Sequence, residues 1–273
     1  MAIGATVAAL LLAALQLRHA RPETPPPSPF WSALMPKDRD TIFVIPDTGL
    51  VLLQLETEHE VPREEYFSRR VADRADAGGA ALARYRARRY TGISSVQLAA
   101  ELGKRATAAP DRFHVRYARD LMLDDLKHAN VVLAGVAQSN PWRELFRHQL
   151  NFHIDWDAHA SGKFLIRNDH PRAGEQASYE FLIDDPVKRG FATIAYTHGL
   201  GHDGRALLLG GTTSAGTQAA IEFLTSSADL DPVLRRARRS DGSIGDFELL
   251  LECVLQANGS TDIRVLGMRT EGK

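Results

Sequence analysis

In "RALLLGGTTSAGTQAAIEFLTSS", residues 205–227, an apolar segment passes through a glycine-threonine-serine turn into a helical pattern. Gly211 and Gly216 stand where the two glycines of G-x-x-x-x-G-K-[ST] would stand, but Thr217 and Gln218 follow them. The lysine that would neutralise phosphate charge is absent, and with it the hydroxyl position that reaches magnesium, so nucleoside triphosphate hydrolysis is set aside. What remains is a helix N-terminus crowded with N–H groups and hydroxyls, Gly211, Thr212, Thr213, Ser214 and Thr217, suited to an anion or a polar ligand.

Other clusters carry less. "HGLGHDG", residues 198–204, satisfies G-x-G-x-x-G, yet it lies between "ATIAYT" and "RALLL", two expected strands, so a hairpin loop is the reading rather than a dinucleotide fingerprint. His198 and His202 share that loop without the helical spacing or third ligand a metal needs, and no metal or cofactor is assigned. His153, Asp155, Asp157 and His159 alternate in "NFHIDWDAH", which puts them on one face of a strand, read as a solvated face. No G-x-S-x-G elbow occurs, and Ser139 and Ser214 lack an evident partner base.

These residues need elements to hold them. "DTIFVIPDTGLVLLQLE" is a β-rich apolar run broken at Pro46-Asp47, and residues 62–109 read as two or three helices ending before Pro110. "RFHVRYARDL" alternates as a strand, "MLDDLKHA" is a short helix, and "NVVLAGVA" is a continuous apolar strand of the kind buried on both faces. In "QSNPWRELFRHQL", Ser139 or Asn140 can cap a helix with Pro141 at its first position. From residue 151 the strands are short and hairpin-spaced, and "DFELLLECVLQANGSTDIRVLGMR" ends the chain as two strands about Asn258-Gly259. The expected fold is α/β: a mainly parallel, Rossmann-like sheet covered by helices, with antiparallel edge strands and a C-terminal β-hairpin in one mixed sheet.

In such a sheet the loops after the carboxyl ends of the parallel strands converge on one edge, where ligands bind. Asp47 and Thr48, Arg119, Ser139, Asn140 and Trp142, and the turn from Gly211 to Thr217 occupy four such loops. They offer charge, hydroxyls, an amide and an indole to a small polar or anionic ligand, although the same residue types also serve as caps and turns.

Composition sets bounds. The 273 residues are 44% hydrophobic and 25% charged, with 33 Lys+Arg against 34 Asp+Glu, so no global field draws the chain to nucleic acid. The single cysteine, Cys253, excludes an intrachain disulfide. "MAIGATVAALLLAALQL" is an uncharged apolar run of seventeen residues followed by Arg18 and Arg21, and an uncleaved membrane anchor over residues 1–20 is the expectation. The arginines behind the run favour a cytoplasmic C-terminal portion. "RPETPPPSP", residues 21–29, is an extended linker, and the folded domain spans 30–273.

"FWSALM" with "IFVIPDTGLVLLQ", then "RRYTGISSVQLAAELG", "VRYARDLMLDDLKHANVVLAGVAQSNPWRELFRHQLNF", "IRNDHPRAGEQASYEF" and "ALLLGGTTSAGTQAAIEFL", occur together and in this order. In these elements, over most of residues 30–227, the chain resembles a bacterial family of membrane-anchored regulators. Its members join a cytoplasmic helix-turn-helix domain, one transmembrane helix and a proline-containing linker to an α/β domain outside the membrane. The resemblance implies a sensor linked to transcriptional regulation or signalling, extracytoplasmic, working through a partner protein. It identifies no catalytic residue. This chain lacks the helix-turn-helix part, so direct nucleic-acid binding by it is not expected. Two other readings compete: a small-molecule hydrolase or transferase with Asp47 or Glu175 as acid or base, and a protein-interaction module. A buried carboxylate in hydrogen-bond reach of a histidine at the pocket would favour catalysis.

Overall fold

The computed structural model describes residues 28–73, 79–157, 163–182, 184–255 and 261–271. The expected anchor, most of the proline linker, His159 and the turn at Asn258-Gly259 lie outside the described residues. No helix among the described residues is long and apolar enough to cross a membrane.

The helix α1 (Pro29–Leu34) leads into strand β1 (Thr41–Ile45), and then come α2 (Thr48–Thr57), α3 (Arg63–Phe67), α4 (Gly79–Ala87) and α5 (Ile93–Arg105). Strand β2 (Phe113–Tyr117), helix α6 (Leu123–His128) and strand β3 (Asn130–Ala134) follow, and a 3₁₀ segment covers Pro141–Gln149. The second half holds β4 (Phe152–Asp157), β5 (Lys163–Asn168), β6 (Ser178–Glu180), β7 (Arg189–His198), β8 (Arg205–Gly211), α7 (Ser214–Thr225), α8 (Ser227–Ala237), β9 (Phe247–Leu255) and β10 (Thr261–Thr270).

Seven strands form one sheet in the order β10-β9-β7-β8-β3-β1-β2. The neighbours β2, β1, β3 and β8 run parallel, and β7, β9 and β10 add antiparallel ladders. The fold is therefore mixed α/β, and the carboxyl ends of the four parallel strands share one edge. Every residue of β3 is buried, as its continuous apolar pattern requires of a central strand covered on both faces. Each of Val131, Val132 and Leu133, fully buried, contributes roughly 1.5–3 kcal/mol of apolar burial. One face carries the core built from Phe30, Leu98, Leu102, Ala220 and Leu224, and the other the core of Leu50, Leu53, Tyr85, Leu126 and Trp142.

Three expectations are corrected. The run after Pro46 is the helix α2, not a strand: Asp47 caps it by accepting from Leu50 N at 3.1 Å, and an apolar run of that length has no periodicity to separate helix from strand. The strands β4, β5 and β6 form their own antiparallel sheet instead of joining a single mixed one. Both edges of β7 are taken by β8 and β9, so Phe152, Ile154, Ile166 and Tyr179 bury themselves face-on against Phe191 and Leu250. His153, read as solvated, is 4% exposed and pairs with Asp169. The "GLGHDG" glycines lie in the loop joining the antiparallel pair β7 and β8.

Close approach fixes two glycines. A Cβ on Gly210 would stand 2.2 Å from Gly135 O, and one on Gly211 would stand 2.5 Å from Thr217 N. Helix α7 thereby starts directly against the end of β8.

Candidate functional site

Asp47 leaves the end of β1 fully buried, and Arg119, just beyond β2, closes on it: Nε donates to Oδ2 at 2.8 Å and Nη2 to Oδ1 at 2.7 Å. Tyr117 donates to Oδ1 at 2.8 Å, and Tyr66 to Oδ2 at 3.4 Å. The Arg119 guanidinium also lies 3.4 Å from the Tyr85 ring centroid. Burial and the Asp47 charge push the hydroxyls of Tyr66, Tyr85 and Tyr117 well above the ordinary tyrosine range.

The β3 loop is fastened to the same group. Asp47 N donates to Ser139 O at 2.6 Å, and Ser139 Oγ turns back on Val136 O at 3.1 Å. Asn140 Nδ2 donates to Ala134 O at 3.0 Å, so Asn140 stands at the N-cap position of the 3₁₀ segment without capping it through its side chain. Trp142 stacks on Phe67 and donates from Nε1 to Ala118 O at 2.8 Å. Thr48 N donates to Tyr90 O at 3.2 Å.

The Gly211–Thr217 turn is a separate group. Thr212 Oγ1 bonds Phe191, Thr213 Oγ1 caps α7 by accepting from Gly216 N at 3.0 Å, and Thr217 Oγ1 donates to Thr213 O at 3.3 Å. Ser214 is exposed in the first turn of α7. No hydrogen bond among the described residues joins this turn to the Asp47 group. The structure thus gathers Asp47, Arg119, Ser139 and Trp142, with Thr48 and Asn140 beside them, and leaves the turn at Gly211 apart. Glu175 lies elsewhere again, where Arg269 holds its carboxyl down at about 2.

The open space at this edge lies next to the expected residues. The chain leaves β1 to build β2 on one side, then returns past β1 to build β3 on the other, so a topological switch falls between β1 and β3. A cleft of about 680 Å³ opens there, with Leu50 and Gln54 of α2, Pro62 and Arg63, Gln138 and Pro141, Arg147, and Trp156 and Arg167 of the small sheet in its wall. An apolar recess of about 780 Å³ adjoins it, sharing Gln54, Gln138 and Trp156 and adding Val51, Leu55 and Phe164. Such volumes suit a small organic ligand. Gln138 Oε1 is buried without a hydrogen-bond partner.

A chain of charges runs from the wall of the cleft to His153. Arg147 meets Asp155 at 2.9 Å, Arg167 meets Asp155 at 2.7 Å and Asp169 at 2.8 Å, and Asp169 meets His153 Nε2 at 2.8 Å. Burial, helped by Arg147, lowers the His153 pKa, and the bond from Arg167 lowers that of Asp169. A histidine and a carboxylate do pair here, but Asp169 is 36% exposed and no serine, threonine or cysteine lines the cleft among the described residues.

Gln138 belongs to the loop after β3 that the sequence already placed at this edge, whereas Arg147, Trp156 and Arg167 were not singled out. The available signal was the alternation of Phe152, Ile154 and Trp156, which marks a strand face in need of cover. Comparison of the chain with protein-family models, with characterised proteins and with solved structures gives no match.

Proposed function

We propose that this chain is a Rossmann-like sensor domain that binds a small polar or anionic molecule in the cleft between β1 and β3. In this reading residues 1–20 tether it to a membrane, and a partner protein receives the signal. The resemblance to membrane-anchored regulators supports the tether, the partner and a position outside the membrane.

The single observation that carries the binding reading is the position of the cleft. It opens at the switch between β1 and β3, beyond their carboxyl ends, where open α/β sheets hold ligands. Binding is favoured over chemistry because the polar side chains around Asp47 are spent on fastening loops to one another, and the cleft has no serine, threonine or cysteine among the described residues, while its carboxylates Glu144 and Asp155 are held by arginines.

The experiment is a thermal-shift screen of the full chain against nucleotides, sugars, amino acids and organic acids. A binder at a hundred times its dissociation constant stabilises the fold by about 2.7 kcal/mol. The reading expects that stabilisation to be lost in Trp156→Ala, and fails if binders stabilise that variant as well as the native chain.

A further inference from the structure

At the inner end of the cleft lies a buried charge that no carboxylate pairs directly among the described residues. Arg143, 8% exposed, has no carboxylate in ion-pair range among the described residues. Its Nη1 donates to Leu133 O at 3.0 Å and to Leu209 O at 3.2 Å, the carbonyls near the ends of β3 and β8. Both hydrogens of Nη1 are thereby used, whereas Nε and Nη2 bond no protein group among the described residues. Burial pushes the guanidinium down to about 10, which still leaves it charged at neutral pH. Buried charges are costly unless matched, and this one is met by two carbonyl dipoles and, more distantly, by the charge of Glu144, with no carboxylate bonded to it.

Arg143 lines a cavity of about 20 Å³ together with Leu150, Phe152 and His153. Ala137, Glu144, Arg147 and Ile154 line both this cavity and the large cleft, so a group entering from the cleft meets Arg143 at its end. That volume holds about one water-sized group, enough for the tip of a planar carboxylate and small for a tetrahedral phosphate. The free Nε and Nη2 form the edge of the guanidinium that matches a carboxylate with two parallel hydrogen bonds.

The charges around the entrance narrow the class further. Glu144 stands near Arg147 and Arg63, and Asp155 is matched by Arg147 and Arg167, while Glu60 and Glu64 also line the cleft. These acidic groups oppose a polyanion. An apolar body would lie against Trp156 and the recess beyond it.

We propose that the ligand of this cleft is an organic monocarboxylate whose carboxylate is bound by Arg143 and whose apolar or aromatic body lies along Trp156. The proposal rests on the reading of the cleft as a ligand site.

The test is calorimetric titration of the full chain with benzoate and phenylacetate, with their uncharged amides benzamide and phenylacetamide, and with phenyl phosphate. The acids should bind about ten- to a hundredfold more tightly than the amides, the worth of hydrogen bonds to a charged group, and phenyl phosphate more weakly than benzoate. Arg143→Lys, which keeps the charge and loses the fork, should remove most of that preference. Should Arg143→Lys fail to fold, Ala137→Leu, which narrows the entrance without touching the arginine, should remove it instead. Equal binding of acids and amides, lost in Trp156→Ala, overturns the carboxylate proposal and leaves the cleft standing. An acid preference that survives in the folded variants overturns it too. No binding by any probe overturns the carboxylate proposal and leaves the cleft to the thermal-shift screen.

Discussion

Asp47 and Arg119, at the ends of adjacent parallel strands, are locked to each other by bonds of 2.8 and 2.7 Å, with Asp47 fully buried beneath the arginine. Through Tyr66, Tyr117 and the backbone of Leu50, the same carboxylate ties α3, β2 and α2 into one unit. This pair lies beside the cleft and does not line it.

Removing one partner should therefore cost far more than removing both. Arg119→Ala leaves Asp47 buried and uncompensated and should destabilise by about 3–5 kcal/mol, whereas the double change to Asp47→Leu and Arg119→Met should cost much less. Urea unfolding of the variants measures this. A loss under about 1 kcal/mol for Arg119→Ala would mean the pair is solvated.

Glu248 makes stability fall with rising pH. Its carboxylate accepts from Asn151 N at 2.8 Å and Phe152 N at 3.1 Å, and burial, aided by Asp169 and opposed by those backbone N–H groups and by Arg269, raises it to about 7. The folded chain holds this proton where the unfolded chain has released it. The contribution is present below about pH 4.5 and lost by about pH 7, of order 1–3 kcal/mol. Glu248→Gln should flatten that stretch of the stability curve, and an unchanged slope would refute the assignment.

Glu175 works in the opposite direction. Arg269, at 2.6 Å, holds its carboxyl near 2, so the contact stabilises above the ordinary carboxylate range and is lost as pH falls toward about 2. Acid titration of Glu175→Gln should show less loss of stability between pH 4.5 and 2 than the native chain, by about 1–3 kcal/mol. Identical acid transitions would exclude the contact as a stabilising one.

Thr213 is a cap. Thr213→Ala should cost about 1 kcal/mol and Thr213→Ser nearly nothing, with ligand affinity at the cleft the same in both. A change in affinity without a change in stability would return the turn at Gly211 to the list of binding elements.

The parallel strands were legible because β1 and β3 are apolar after their first residues, Thr41 and Asn130, and carry turn residues beyond their carboxyl ends, and the edge followed from them. The cleft was not legible, because its walls come from α2, the β3 loop, the 3₁₀ segment and β4, and no local pattern brings Gln54, Gln138, Arg147 and Trp156 together. Residue type also concealed structural roles near this edge. Asp47 and Thr213 have the types that bind ligands, and those same types cap helices, so type alone could not separate the roles. The helix α2 was missed for a related reason: Leu50 to Leu55 is apolar almost without interruption, and the deciding contact is the cap from Asp47.

The most direct measurement follows the indole N–H signals of the three tryptophans by NMR, with the Trp156 signal assigned from Trp156→Phe. Any compound that stabilises the full chain should shift the Trp156 signal, with Trp31 nearly still. Stabilising compounds that leave Trp156 unmoved would contradict binding in the cleft.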